Sequence, residues 1–359
     1  MDFILNGECH GTAAARIMAH GFDPDAMRPI EIPDGSGRAY IQVRNGKNKD
    51  GTLRYAKKLV HNAPTTLRYD EWKAFDDTVR DVARAEMNVV GDILSRGLRK
   101  TIPGGMGKTL LQHQTTSDIG DATMSMDGLR RGENDRPLKE IATLPLVFTH
   151  KDFTIGLRDL EQSRQSGEGL DTTDVRLATI KCMESLEKLT VGTLTFPTVA
   201  GATIYGMTTY TYRMTKTITA PTAGGWTPET FVLELLAGRQ QMRDAYQRGP
   251  MMIYLGYAWE QYLDADYSAA KGQNTLRQRL LAIDRVAGIK ILDYLTGFQA
   301  IALIMTEENV RMVSFFPLRV IRWEEQGGWE IHLKVILGMV PQFRADYNNR
   351  MGMLHMNTA

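Results

Sequence analysis

The 359-residue sequence predicts an α+β fold, and three observations carry that prediction. Helical and strand periodicities both occur, interspersed and without a regular βαβ rhythm, which argues against a doubly wound sheet. One apolar stripe, from Val175 to Leu189, is long enough for a bracing helix. Between the core-forming segments lies a polar stretch, Thr101 to about Thr143, with few large apolar residues in its middle. The length corresponds to two or three ordinary domains, or to one domain with long extensions.

Composition narrows the classes. Lysine plus arginine number 43 against 42 for aspartate plus glutamate, a formal charge of +1, which excludes a dedicated polybasic nucleic-acid binder but leaves room for a local basic patch. Two cysteines, Cys9 and Cys182, make no disulfide framework, so a reducing cytoplasm is expected. The first residues lack the order of a secretory signal, and no apolar run approaches the ~20 residues of a membrane span. A soluble, intracellular chain without a membrane partner is therefore expected. The 19 methionines supply adaptable packing side chains.

Along the chain, the first sixty-five residues lack a sustained period and are punctuated by Gly21, Pro24, Pro29, Pro33, Gly35, Gly37, Gly46, Gly51 and Pro64, so an arm is expected. Within it Arg38, Arg44, Lys47, Lys49, Arg54, Lys57 and Lys58 face the single acid Asp50; a solvated loop and a phosphate-contacting patch both fit. Trp72, Phe75, Val79, Val82, Met87, Val90, Leu94 and Leu98 predict a helix over Asp70 to Arg99 with a break near Gly91. The polar stretch that follows exceeds ordinary loop length; it is a functional segment, a disordered one, or an extended hairpin packing on something else.

After Pro145 a strand is expected through Leu157. Asp171 is the expected N-cap of a helix over Thr172 to Val191 whose stripe of Val175, Ala178, Cys182, Leu186 and Leu189 ends at Gly192. Cys182 on that stripe reads as a small core residue. Thr203 to Thr219 alternates in strand style, and Thr227-Pro228-Glu229 opens a helix to about Arg248. Met251 to Leu255, Ala300 to Met305, Leu318 to Trp323 and Ile331 to Leu337 read as strands, with a Trp259/Tyr262 helix after the first and a Gly327-Gly328 turn before the last.

Motifs of chemistry are thin. Gly104-Gly105-Met106-Gly107-Lys108-Thr109 ends like a phosphate loop, but the glycine required five positions before Gly107 is Ile102, and the segment follows a helix rather than a strand. A hinge is the better reading. The seven histidines are scattered, with no His-Glu-x-x-His, no Cys-x-x-Cys and no Gly-x-Ser-x-Gly. No catalytic, cofactor-binding or metal-ligating residue is assigned, no cofactor is expected, and the chain reads as structural rather than enzymatic.

The order of elements resembles that of tailed-phage major capsid proteins, the Hong Kong 97 phage-type fold, and of the related encapsulin shells. The resemblance is most specific where Leu144-Pro145-Leu146-Val147-Phe148 leads to Asp159-Leu160-Glu161-Gln162-Ser163-Arg164 and Leu170-Asp171-Thr172-Thr173, then through the long helix to Gly192. It is similar also at Tyr69-Asp70-Glu71-Trp72, over Gly249 to Leu255, and around Val320 and Val335. It covers nearly the whole chain as a pattern of elements rather than as signature residues.

This resemblance implies an N-terminal arm over residues 1–65. It implies a peripheral domain over 66–100, 144–199 and 316–359 with a spine helix at about 172–191, an extended loop over 101–143 lying across a neighbouring subunit, and an axial domain over 200–315. It further implies a major capsid protein that self-assembles through heterologous contacts into hexamers and pentamers of an icosahedral shell around double-stranded DNA. Such a protein belongs to the virion capsid and is assembled in the host cytoplasm, with scaffold, portal or cement proteins as further partners. The arm's Arg38, Arg44, Lys47, Lys49, Arg54, Lys57 and Lys58 are then the candidates for weak, nonspecific contact with DNA at the inner surface. An encapsulin-like shell around cargo enzymes is the alternative, and an enzyme with a long active-site lid a third reading from another class.

Overall fold

The computed structural model describes residues 3–5, 8–10, 30–31, 39–47, 53–60, 67, 69–85, 87–117, 119, 122, 124, 126, 136–166, 172–265, 274–325 and 330–358. In the N-terminal part, β1 (Phe3–Leu5) and β2 (Glu8–His10) pair antiparallel, and β3 (Ile30–Glu31), β4 (Ala39–Lys47) and β5 (Leu53–Val60) form a three-stranded sheet. This is more order than the unpatterned arm expected there. Ile41 and Val43 do alternate with polar neighbours, but the interleaved lysines and arginines dilute the two-residue period.

The helix expected over Asp70 to Arg99 is two helices, α1 (Tyr69–Ala85) and α2 (Val89–Ser95), parted at Asn88 rather than at Gly91. A restarting helix exposes backbone N–H groups that need acceptors. Here they are met from far along the chain: the buried carboxylate of Glu187 accepts from Val89 N at 2.5 Å and Val90 N at 3.2 Å. Gly97, at φ +75°, then turns the chain out of α2.

The chain continues through β6 (Arg99–Thr101), a 3₁₀ turn at Gly105–Gly107, β7 (Leu110–Thr116), β8 (Lys139–Pro145), β9 (Thr149–Gly156) and α3 (Leu157–Ser166) to α4 (Thr173–Val191). Thr172 occupies the cap position expected of Asp171, which lies outside the described residues. Every member of the expected α4 stripe is buried. Gly192 closes α4 at φ +100°, where a Cβ would stand 2.5 Å from Thr208 Oγ1.

After that cap, β10 (Met214–Ile218) is shorter than the alternation from Thr203 suggests. Met207 N and Thr208 N bond to Thr190 O and Val191 O, so the first part of the segment is laced to the end of α4 instead of entering a sheet. Then come α5 (Pro228–Asp244), with Thr227 at its N-cap, β11 (Met251–Gly256), α6 (Glu260–Leu263), α7 (Leu276–Leu281), β12 (Val286–Leu292), β13 (Ala300–Ile304), β14 (Val310–Glu325), β15 (Glu330–Phe343) and β16 (Met353–Thr358).

Two sheets organise these elements. The four-stranded sheet, β6-β14-β15-β9, has α4 across β9 and β15, with α1 packed on α4. The five-stranded sheet, β10-β16-β13-β11-β12, is mixed, with α5 and α7 packed on it and with β11 and β13 buried along their whole length. Both carry parallel and antiparallel pairs, as an α+β fold without βαβ rhythm allows. The closing strand, β16, leaves the four-stranded part and pairs with β10 and β13 in the five-stranded sheet. Its burial pattern decides this, since Met353, Leu354 and Met356 fill that sheet's interior.

Candidate assembly interface

The polar stretch is an antiparallel hairpin where it is described. β7 and β8 pair from Leu110↔Pro145 out to Thr116↔Lys139, and Ser117 N extends the ladder to Leu138 O at 2.9 Å. Its root is anchored by apolar packing on one face of the four-stranded sheet: Ile102, Leu144, Leu146, Val313, Phe315 and Val340 form a buried cluster that Leu111 joins. Phe148 meets Phe315 and Phe316 edge-on, with ring centroids 4.9 and 5.6 Å apart. The glycine motif belongs to this root. A Cβ on Gly105 would lie 2.5 Å from Phe315 Cβ, so the residue is needed for close packing, and the expected free hinge is a packed turn.

Away from the root the hairpin loses its cover. Leu138 and Ile141 are each 63% exposed, Ile119 is 65% exposed, and Met124 and Met126 are fully exposed. A two-stranded ribbon is marginal in water without a surface to pack on. Among the described residues a second group of exposed apolar side chains lies at Leu194, Phe196, Val199, Tyr205 and Tyr212.

A polar relay fixes the ribbon where it crosses the sheet. Arg311 is buried, and its Nε donates to Gln342 Oε1 at 2.7 Å. A guanidinium has only donors, so that bond sets the amide's orientation. Gln342 Nε2 then donates to His113 Nδ1 at 3.0 Å, which requires a lone pair there: His113 is neutral, with its proton on Nε2. Burial lowers the His113 pKa to about 4, and the charges of Arg344, Arg311 and Lys100 add to the effect.

The two sheets are joined through α2. Asp92 Oδ1 pairs with Lys290 Nζ on β12 at 2.6 Å, and Asp92 Oδ2 accepts from the Tyr254 hydroxyl on β11 at 3.1 Å. Burial, with Asp92 next to it, pushes the Tyr254 phenol well above its usual range. Arg96 Nη2 reaches Met252 Sδ at 3.3 Å, and Lys188 Nζ lies 5.2 Å from the centre of the Tyr294 ring.

The basic residues singled out in the arm fall on two paired strands and outside the described residues. Arg38 and Lys49 lie outside the described residues, Arg44 and Lys47 fall on β4, and Arg54, Lys57 and Lys58 fall on β5, with Lys58 exposed. The register sets Gln42 opposite Lys57 and Ile41 opposite Lys58. Cys182 is buried against Val335 O, and burial pushes its thiol up to about 12, as befits a packing residue. Among the described residues no group of three His, Cys, Asp or Glu side chains could hold a metal ion, and no helix is long and apolar enough to cross a membrane.

The residues that anchor the hairpin were not singled out from the sequence. His113, Gln342 and Arg311 are far apart in the chain and give no local signal. Glu187 gave one: it sits on the buried side of α4 between Met183 and Val191, a charged residue on an apolar stripe.

A four-stranded sheet braced by a long helix, a second mixed sheet, and a hairpin rooted on the four-stranded sheet make up a fold of the Hong Kong 97 capsid type. Solved structures of that kind align over most of the chain. A virus-like particle from Pyrococcus furiosus matches 80% of this chain and 98% of its own at 13% identity and a TM-score of 0.54. The capsid of Myoviridae phage XM1 matches 76% and 94% at 10% identity and 0.56, and a structure from Mycobacterium phage Bobi matches 74% and 90% at 10% identity and 0.52. At these identities the likeness is one of fold. By sequence, the chain belongs to the family of unknown function DUF6260, whose model matches residues 62–356. No curated protein matches it by sequence.

Proposed function

We propose that this protein is a major capsid protein: copies of the chain assemble through heterologous contacts into hexamers and pentamers of an icosahedral shell that encloses double-stranded DNA. The observation that carries the reading is the projecting hairpin, whose exposed Ile119, Met124, Met126, Leu138 and Ile141 lack a burial surface among the described residues of their own chain. A patch that meets a different patch on the next copy generates closed rings. An extended ribbon adds contact area toward the ~1,200–2,000 Å² that stable interfaces need without enlarging the core.

On this reading the hairpin over 101–143 is the extended loop lying across a neighbour. The four-stranded sheet with α4 as its spine is the peripheral domain, the five-stranded sheet is the axial domain, and residues 1–65 are an arm. The arm's basic residues touch packaged DNA lightly at the inner surface, consistent with a chain of net charge +1. The chain then acts in the virion capsid after assembly in the host cytoplasm, as a wall rather than an enzyme, with scaffold, portal or cement proteins as accessory partners. The match to a Pyrococcus virus-like particle over 98% of that chain keeps an encapsulin-like cargo shell as the second reading, since what differs there is the content and not the wall.

Electron microscopy of the purified protein, with its ultraviolet absorbance ratio, tests this. Closed shells are the expected result, and persistent monomers in the presence of a scaffold partner would overturn both shell readings. Nucleic acid retained after nuclease treatment supports the capsid, whereas a co-purifying enzyme supports the cargo shell.

A further inference from the structure

At one end of the five-stranded sheet, where β11 and β12 begin and β13 stops, a pocket lies between the last turns of α5 and the turn that precedes β12. Its floor is apolar, made by the buried Met242, Met251 and Ile304. Gly249 holds the chain hard against β13 here, since a Cβ on it would stand 2.6 Å from Ile304 Cγ2. The rim is cationic. Arg239 and Arg243 stand one turn apart on α5, Arg248 follows the helix, and Arg285 enters from the turn before β12. The carboxylate on this rim is Asp284, which meets Arg239 at 3.0 Å and Arg285 at 3.7 Å while its side chain stays 77% exposed. Arg243 and Arg248 are exposed and form no ion pair with an acid among the described residues, and the neighbouring Asp244 is engaged by Gln240 Nε2 at 2.7 Å. Four guanidinium groups therefore face one carboxylate.

The backbone around the pocket is held at a cost as well. Among the described residues four non-glycine residues have positive φ, and two of them flank the pocket, Tyr246 at +60° and Arg285 at +65°. A residue with a side chain is strained in that region where glycine is not. The first bend turns the chain off α5, with Gln247 N bonded to Met242 O at 3.0 Å, and so delivers Gln247 and Arg248 to the pocket. The Arg350 guanidinium lies over the Tyr246 ring, 5.1 Å from its centre. The second bend lets Arg285 O accept from Met251 N at 2.8 Å and places Arg285 on the rim. The partial negative charge at the end of α5 favours a cation in its last turn, which accounts for Arg243 but not for Arg248 and Arg285, which lie outside the helix.

From this arrangement we infer that the pocket is an anion site that binds a phosphate group. A guanidinium is a planar fork of donors with no acceptor, and the two oxygens of Asp284 already serve Arg239 and Arg285. A phosphate presents several oxygens in different directions, so it can take paired N–H···O bonds from Arg243 and Arg248 while the other two arginines add their charge. The apolar floor behind it limits screening by water. The free space is about 20 Å³, which admits one small group and not a base or an aromatic ring, so the site reads phosphate without reading sequence. That phosphate can belong to a small phosphate compound or to a nucleic-acid backbone. The site is built from α5 and the turn before β12 rather than from the arm's basic residues, and it stands whether or not the chain forms a shell.

Isothermal titration calorimetry of the full chain tests the site, with inorganic triphosphate and a short oligothymidylate as probes. Saturable binding of triphosphate at one site per chain is expected, weakened about tenfold or more by Arg243→Gln with Arg248→Gln, which leaves the pair of Arg239 with Asp284 in place. A chain with Arg158→Gln and Arg176→Gln, which removes the same charge from exposed positions on α3 and α4, is expected to bind as wild type does. Thermal melting checks that both variants fold. Phenylglyoxal modification of the wild-type chain, read by mass spectrometry, needs no variant: triphosphate is expected to protect Arg243 and Arg248 and to leave Arg158 and Arg176 reactive. Competition between the probes assigns the source of the phosphate. Displacement of triphosphate by oligothymidylate at a lower concentration of phosphate groups supports a nucleic-acid backbone, and triphosphate binding that oligothymidylate does not disturb supports a small phosphate compound. No saturable binding of either probe would overturn the inference. Equal weakening in the two variants, or equal protection of all four arginines, would overturn it too, because the attraction would then belong to the charge of the whole chain and not to this pocket.

Discussion

Glu187 holds the restart of α2, and its replacement is the sharpest test of how the chain is organised. Its carboxylate, fully buried on α4, accepts from Val89 N at 2.5 Å and Val90 N at 3.2 Å. Glu187→Ala leaves two buried N–H groups without acceptors, at about 1–3 kcal/mol each. Removing a buried charge returns part of that, because burial opposes ionisation here more strongly than the backbone bonds favour it. A net loss of about 2–4 kcal/mol is expected, a large share of the ~5–15 kcal/mol that holds a typical protein folded. Glu187→Gln keeps one acceptor oxygen and should lose less than Glu187→Ala. The pH dependence carries a sign. A folded pKa raised above the unfolded value means that the folded state binds the proton more tightly, so stability is fully present below the unfolded carboxylate pKa and declines as pH rises through the folded one. Urea denaturation of free subunits at several pH values measures both effects. If Glu187→Ala lies within 1 kcal/mol of wild type, or Glu187→Gln is as damaging as Glu187→Ala, the carboxylate does not cap α2 in the manner argued.

Three further outcomes are expected. Met124→Ser with Met126→Ser should leave the subunit's melting temperature nearly unchanged, since exposed substitutions stay within about 0.5 kcal/mol, while assembly followed by light scattering weakens; a lowered melting point with intact assembly would place these residues inside a fold. Tyr254→Phe removes the hydroxyl that donates to Asp92 and should cost about 1.5–3 kcal/mol in chemical denaturation, with Lys290 still holding the carboxylate. His113 and His355 both have pKa values lowered to about 4, so the folded state binds fewer protons than the unfolded chain and stability falls as pH drops from about 6.5 toward 4. Replacing either histidine by glutamine should flatten the stability profile in that window, and an unchanged slope in the double variant would refute it.

What the sequence revealed divides by the range of the contact responsible. The α4 stripe, the Thr227-Pro228 helix start and the antiparallel pairing of β14 with β15 were legible because three- and two-residue periods and local caps set them. The break at Asn88 was misplaced to Gly91 because its cause, Glu187, lies 98 residues away. The truncation of β10 has the same origin, since the segment before it finds hydrogen-bond partners at the end of α4. β16 was not read as a strand from the sequence, and its place beside β10 and β13 depends on pairing with segments far along the chain. The hairpin was legible as an excess of polar chain, but not its anchorage, which depends on Arg311, Gln342 and His113 meeting across the sheet.

The arrangement of contacts also explains how one chain can present a fixed body and an adaptable edge. The core runs without interruption from α1 and α4 through Tyr254, Leu292 and Ile301 of the five-stranded sheet, so the two sheets share one apolar interior, and Asp92 adds polar contacts across their junction. Among the described residues the hairpin is tied to that body at its root and at His113, and its paired strands are held by their own ladder. Movement of the ribbon about that root changes what its tip meets while disturbing few buried contacts, whereas bending between the sheets would break Asp92's bonds and open a close-packed core. If copies of the chain form a closed shell as proposed, differences in local geometry around it are absorbed most cheaply at the hairpin, where Met124 and Met126 are exposed.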